Sequence, residues 1–208
     1  MNQKVDIEIK SKLPLMESFY TIQGEGNHSG KAAYFIRLAG CDVGCSWCDV
    51  KESWDKNAFN EVEVTEIVST ASQSRSKIVV VTGGEPLMYT LDELTYGLKQ
   101  VGFSTHIETS GAYEFTGDWD WICLSPKKFK EPVPEAFQLA DELKVIVFNQ
   151  HDFIWAEKMA KKVREDCKLF LQPEWSKSSE MLPKIISYVK NDPRWEISLQ
   201  VHKFMDIP

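Results

Sequence analysis

What most limits the possible folds of this chain is a rhythm of short, continuously apolar and often β-branched runs separated by amphipathic stretches. The runs fall at 33–38, 77–82, 104–108, 121–124, 143–147, 168–171 and 196–199. Unbroken apolar runs of this kind mark strands covered on both faces, whereas strict alternation marks a sheet with one wet face. Between several of them lie predicted helices at 65–74, with Thr65 as N-cap, at 90–101, closed by Gly102, at 152–165 and at 178–190. Strands alternating with helices imply an α/β fold built on a parallel sheet. The predicted strands are too few for a complete eight-stranded barrel, so the expectation is an incomplete, open or trimmed TIM-type barrel. Residues 1–208 are long enough for one domain with a substantial core, and no linker or repeat divides them.

Nearly every chemically unusual cluster follows the C-terminal end of a predicted strand. Gly40 to Cys48 follows the first, Gly83 to Pro86 the second and Thr109 to Gly111 the third. Ser125 to Lys127, Gln172 to Glu174 and Gln200 to Lys203 follow later ones. In parallel α/β folds that edge is where ligands bind, because loops converge there while the strands hold them. The pattern predicts one site rather than several.

Composition enters mainly through what it excludes. A net charge of −7 argues against a basic nucleic-acid-binding face. No apolar stretch is long enough to cross a bilayer, and the first residues, MNQKVDIEIKSK, lack the apolar core of a secretory signal. A cytoplasmic location with no membrane partner is the expectation. Five cysteines is an odd number, and three of them fall within eight residues, which suits metal or redox chemistry better than a disulfide framework.

Those three sit in Gly40-Cys41-Asp42-Val43-Gly44-Cys45-Ser46-Trp47-Cys48-Asp49. The spacing lets three thiolates converge from one compact loop, with Gly40 and Gly44 relieving backbone crowding. Thiolates suit iron–sulfur clusters and zinc alike. Structural zinc needs four protein ligands, whereas three cysteines leave one iron of a 4Fe-4S cluster free for an outside ligand. Closing a zinc site would require Cys123, Cys167, His106 or His202, and both cysteines read as packing residues. A second loop, Thr82-Gly83-Gly84-Glu85-Pro86, offers glycines for close backbone approach and one carboxylate; it is not a GxGxxG fingerprint.

The CxxxCxxC loop resembles that of the radical S-adenosylmethionine (SAM) superfamily. The resemblance implies a 4Fe-4S cluster on Cys41, Cys45 and Cys48, with SAM chelating the open iron through its amino and carboxylate groups. Reductive cleavage of the sulfonium then yields a 5′-deoxyadenosyl radical. By the same resemblance Gly83, Gly84 and Glu85 receive the methionine amino group, and Ser110, Ser125, Pro126 and Lys127 serve the ribose and the carboxylate. Trp47, Cys48 and Asp49 adjoin the cofactor, with Trp47 over the adenine or shielding the cluster. Gln172 and Pro173 complete the adenine pocket.

Two terminal segments narrow the family. Phe19-Tyr20-Thr21-Ile22-Gln23-Gly24-Glu25-Gly26 and Leu199-Gln200-Val201-His202-Lys203, closing at Pro208, resemble the 7-carboxy-7-deazaguanine synthase family of queuosine and deazapurine biosynthesis. The likeness runs from about Met16 to Pro208 and includes Arg37. It implies a carbon–nitrogen lyase acting on 6-carboxy-5,6,7,8-tetrahydropterin, with ring contraction and loss of ammonia, and with SAM regenerated. Ile22, Gln23 and Gly24 would read the pterin edge and Glu25 would accept from ring N–H groups. Arg37 would bind the carboxylate, Thr82 would sit between cofactor and substrate, and His202 with the carboxylate of Pro208 would close the pocket. A homodimer and a flavodoxin- or ferredoxin-like reductant are further implications.

One position departs from the pattern. Relatives commonly place Thr or Ser after the Cys-Asp pair as a magnesium ligand, and here that position is Val50, whose side chain has no oxygen to offer. Magnesium dependence is therefore expected to be weaker. Two alternatives stand beside this reading: a radical SAM activase acting on a protein partner, and a zinc-stabilised, non-catalytic α/β module.

Overall fold

The computed structural model describes residues 10–208. Its strands are β1 (Lys12–Ile22), β2 (Ala32–Leu38), β3 (Glu61–Glu63), β4 (Ile78–Gly83), β5 (Ser104–Thr109), β6 (Trp121–Leu124), β7 (Glu142–Val147), β8 (Lys168–Pro173) and β9 (Trp195–Ile197). The helices are α1 (Val64–Ser72), α2 (Asp92–Gln100), α3 (Pro134–Leu139), α4 (His151–Ala160), α5 (Ser178–Asn191) and α6 (Val201–Met205). All nine strands form one sheet in the order β3-β1-β2-β4-β5-β6-β7-β8-β9, with β3 and β9 as unjoined edges. From β2 to β9 every pairing is parallel, and these are the strands expected from the apolar runs. The sheet is an open, incomplete barrel.

β1 and β3 were not expected. β1 lies antiparallel to both β2 and β3, carries a register irregularity between Leu15 and Glu17, and contains Pro14. Its mixed sequence hides the period-two signal that would have marked it. Thr65 is not an N-cap: β3 runs straight into α1, and the amide of Val64 donates to the carbonyl of Ser11. Gly102 does follow α2 at φ +90°, the left-handed turn a glycine tolerates. α4 stops at Ala160, five residues short of the expected 165, where Arg164 turns back to Asp141.

Outward-pointing residues of the strands pack under the helices. Leu38, Val81 and Ile107 meet Ile67, Leu94 and Leu98 in one cluster, and Val145, Leu171 and Met181 meet Ile185 and Trp195 in a second. Each fully buried side chain of this size contributes about 1.5–3 kcal/mol. The alternate residues face the concave side. On β7 these are Glu142, Lys144 and Ile146, whereas Leu143, Val145 and Val147 pack outward.

The floor of the barrel is aromatic. His28 packs edge-on against His106 at 4.5 Å, and its ring lies 4.5 Å from that of Trp121. Burial lowers the pKa of His106 to about 4, helped by the nearby His28. The unfolded chain therefore takes up this proton near pH 6.5 and the folded one near 4, so stability falls as the pH drops through that window. The expected loss is about 2 kcal/mol at about pH 5. Urea midpoints of wild type and His106→Asn at neutral and mildly acid pH check this; the variant should lose most of the difference.

Candidate active site

Two loops meet backbone to backbone at the C-terminal edge of β2 and β4. The amide of Gly84 donates to Leu38 at 2.9 Å, and the amide of Glu85 donates to Gly40 at 2.9 Å. A Cβ on Gly83 would lie 2.0 Å from the Leu38 carbonyl oxygen, and one on Gly84 would lie 2.1 Å from that of Gly40. Both glycines are thus required by the docking of one loop on the other. The chain beyond β2 stays close because Gly40 bonds to Ser53 and Cys41 to Trp54 through their backbones.

Glu85 locks the arrangement. It is 1% exposed, and its carboxylate accepts from the Thr109 hydroxyl (2.5 Å), the Ser110 hydroxyl (2.5 Å), the Ser110 amide (2.8 Å) and the Leu87 amide (3.0 Å). Those bonds use the approximately four acceptor positions of a carboxylate. Glu85 therefore braces the loops after β4 and β5 against each other and does not stand free in the cavity.

Cys41, Cys45 and Cys48 all line one cavity of about 520 Å³, a volume that suits a small ligand together with a cofactor. Burial pushes the Cys41 and Cys45 thiols up; near Cys45 the positive Lys127 opposes it. Thiols of this kind become strong ligands once a metal displaces their protons. Among the described residues no three His, Cys, Asp or Glu side chains close on a single metal ion. Cys123 pairs with Glu142 at the floor, and Cys167 lies in the outer core. Neither offers the fourth ligand a zinc module needs, so this donor set fits a three-thiolate cluster.

Around this loop the other cofactor candidates assemble. Lys127 donates to the carbonyl and hydroxyl of Ser125, both at 2.6 Å, and its ammonium lies 5.8 Å from the Trp47 ring centroid. Burial lowers its pKa, while Cys45 acts in the opposite sense. Gln172 is held by the Ser198 hydroxyl at 2.6 Å beside Pro173. Asp49 accepts from Lys203 at 3.0 Å and Gln200 at 3.2 Å. Burial opposes its charge, yet these partners keep its pKa below the usual carboxylate value.

On the opposite wall, the segment after β1 crosses the concave face toward β7 and β9. The Gly26 amide donates to Ser198 and the Asn27 amide to Glu142. Gly24 lies so close to His202 that a Cβ would come 2.2 Å from its Nδ1. Burial lowers the pKa of His202, which favours the neutral ring, and Glu25 opposes that shift. Arg37 gives its Nε to Glu17 at 2.7 Å and still lines the cavity. The Thr21 hydroxyl reaches the Pro208 carbonyl oxygen at 3.3 Å.

The cavity wall thus includes Ile22, Gln23, Gly24, Glu25, Arg37, Thr82, His202 and Pro208, together with Trp47, Cys48, Asp49, Gly83, Gly84, Glu85, Ser110, Ser125, Lys127, Gln172 and Pro173. Val50 is there as well. Pro126 is not; it is buried behind the loop. Phe19, Phe35, Glu108, Lys144, Ile146 and Trp175 line the cavity without having been assigned to it. Lys144 has a legible signal, a single charge inside the apolar run LKVIV at 143–147.

The layout is that of a radical SAM enzyme, and residues 35–122 match the radical SAM superfamily. The chain is 56% identical over 205 residues to a 7-carboxy-7-deazaguanine synthase from Flavobacterium psychrophilum, covering 99% of this chain and 97% of that protein. It is 46% identical to the enzyme of the same name from Synechocystis, with 93% of each chain covered. The crystal structure of QueE from Escherichia coli superposes with a TM-score of 0.84 at 30% identity, covering 92% of this chain and 95% of that one. The chain belongs to the 7-carboxy-7-deazaguanine synthase family.

Gly84→Ala tests the loop docking. The added methyl meets backbone, which cannot rotate away, so the expected cost is about 3 kcal/mol or more. Iron and sulfide bound after anaerobic reconstitution should fall several-fold, while far-UV circular dichroism stays close to wild type.

Proposed function

We propose that this chain converts 6-carboxy-5,6,7,8-tetrahydropterin to 7-carboxy-7-deazaguanine with release of ammonia, acting as one catalytic domain over residues 1–208. The observation that carries the reading is that the cysteine loop and the Gln23–Glu25, Arg37 and His202 set face one cavity. When bound, the cluster and SAM supply the one-electron chemistry that produces the hydrogen-abstracting radical. The chain's own residues bind, orient and enclose.

In this reading Cys41, Cys45 and Cys48 hold the cluster, and Trp47, Ser125, Lys127, Gln172 and Pro173 surround the nucleoside and methionine moieties. Phe19 and Phe35 stack 5.6 Å apart on the concave wall and give the heterocycle an apolar bed. Glu25 and Gln23 meet its polar edge, while Arg37 takes the carboxylate through its terminal nitrogens. The cavity is bounded by side chains suited to a small heterocycle, which favours this over activation of a protein partner. A cytoplasmic homodimer served by a small one-electron carrier is part of the same proposal.

Magnesium does not fit the protein ligands present. The Val50 side chain has no oxygen, its carbonyl already accepts from Ser53, and the neighbouring Asp49 carboxylate is engaged by Lys203 and Gln200. Arg37 and Lys203 are the cations that face the cavity in that region.

The test is anaerobic reconstitution, reduction with SAM and the carboxytetrahydropterin, and mass spectrometry of the products. Formation of 7-carboxy-7-deazaguanine is expected, and 5′-deoxyadenosine without ring contraction would refute the substrate assignment. Removing divalent ions should lower turnover by less than about threefold. Strict, saturable magnesium activation would contradict that expectation.

A further inference from the structure

Lys144 projects from the middle of β7 into the cavity floor and is only 2% exposed. Its ammonium donates to Glu25 Oε2 at 2.5 Å and to Glu108 Oε2 at 2.8 Å. The remaining oxygen of each carboxylate is also held: Gln200 donates to Glu25 Oε1 at 3.0 Å and Gln23 to Glu108 Oε1 at 2.9 Å. Each carboxylate has thus spent about half of its acceptor positions. Both line the cavity and keep side-chain exposures of 15% and 20%.

A salt bridge that served packing alone would have no need to keep its carboxylates open to the cavity. Here one cation serves two anions, so the cluster carries surplus negative charge and the open positions of the two carboxylates are acceptors. A ligand edge that fits must offer adjacent N–H donors. The 2-amino-4-oxopyrimidine edge of a pterin does so; the dioxo edge of a lumazine has an acceptor where the amino group should be.

We propose that Lys144 is a positioning residue that keeps Glu25 and Glu108 as a fixed pair of acceptors and so selects a 2-amino-4-oxopyrimidine over its dioxo counterpart. The inference rests on the pterin reading above and adds to it the residue that enforces the choice. Other charged or titratable groups bear on the pair from each side. Glu142 precedes Lys144 on the same strand, Cys123 faces it from β6, Lys127 follows β6, Arg37 lies on β2 and His202 comes from α6. Burial disfavours the charge of Lys144, but Cys123, Glu108 and Glu25 outweigh it and raise its pKa well above the usual value. Burial likewise disfavours the Glu108 anion, and Lys144 outweighs that and lowers its pKa. Without the ammonium, repulsion between the two neighbouring carboxylates makes one of them easier to protonate.

The experiment is equilibrium binding of 6-carboxypterin and 6-carboxylumazine to anaerobically reconstituted protein, followed by ligand fluorescence at about pH 6 and about pH 7.5. Wild type should prefer the pterin by about tenfold or more at both values. Lys144→Met should reduce the preference below about threefold and bind the pterin several times more weakly at the acid value. Lys144→Arg should recover part of the preference. Where Lys144→Met does not fold, the double variant Lys144→Met with Glu25→Gln keeps the floor's net charge and should also discriminate below about threefold. An unchanged preference with no pH dependence in Lys144→Met, or an unchanged preference in the double variant, overturns the role of Lys144. Wild type that binds neither compound removes the pterin reading itself, and the inference with it.

Discussion

The cofactor end of this protein depends on the backbone of one loop lying directly on the backbone of another. Gly83 and Gly84 can approach Leu38 and Gly40 only because they carry no side chain. That approach brings the cysteine loop to a fixed distance from the end of β4. Glu85 then ties the second loop to Thr109 and Ser110 at the end of β5. Three adjacent strand ends are joined this way by the chain's own groups. The arrangement is an example of local rigidity placed where function needs it, with loops held by a sheet rather than by their own structure.

A second constraint works from the other side of the barrel. The sheet is open between β3 and β9, and the segment from Gln23 to Asn27 crosses the gap on the concave face. Its backbone is fastened at Ser198, Glu142 and Val201. Gly24 and Gly26 allow the crossing, since side chains there would strike His202 and the Glu142 carboxylate. The segment proposed to read the substrate is therefore also the one that spans the open side of the barrel. Lys144 sits under it and links it to β5 through Glu25 and Glu108. The residues proposed for recognition are also packing residues at this end.

Much of this was legible in the amino-acid sequence because parallel α/β folds separate their signals. The strands covered on both faces appear as unbroken apolar runs, and the loops after them carry the chemistry. Val79 to Val81 is the clearest case: three consecutive buried valines lead directly into Thr82-Gly83-Gly84-Glu85. β1 was not legible, because an antiparallel strand with Pro14 and an irregular register shows neither an apolar run nor clean alternation. The role of Glu85 was also hidden, since a glutamate after two glycines gives no sign that Thr109 and Ser110 will saturate it. Lys144 was legible in principle: a lysine inside the apolar run 143–147 needs buried anions, and Glu25 lies in one of the terminal segments already distinguished. Pro126, between Ser125 and Lys127, is buried and is not among the residues lining the cavity.

The central claim is that three thiols bind a cluster whose fourth metal corner is left for SAM. Electron paramagnetic resonance of the anaerobically reconstituted and reduced protein, with and without SAM, tests it most directly. The account predicts a 4Fe-4S signal whose shape changes on adding SAM and no longer changes once Cys45 is replaced by alanine. An iron signal indifferent to SAM, or a colourless protein holding zinc, would contradict it.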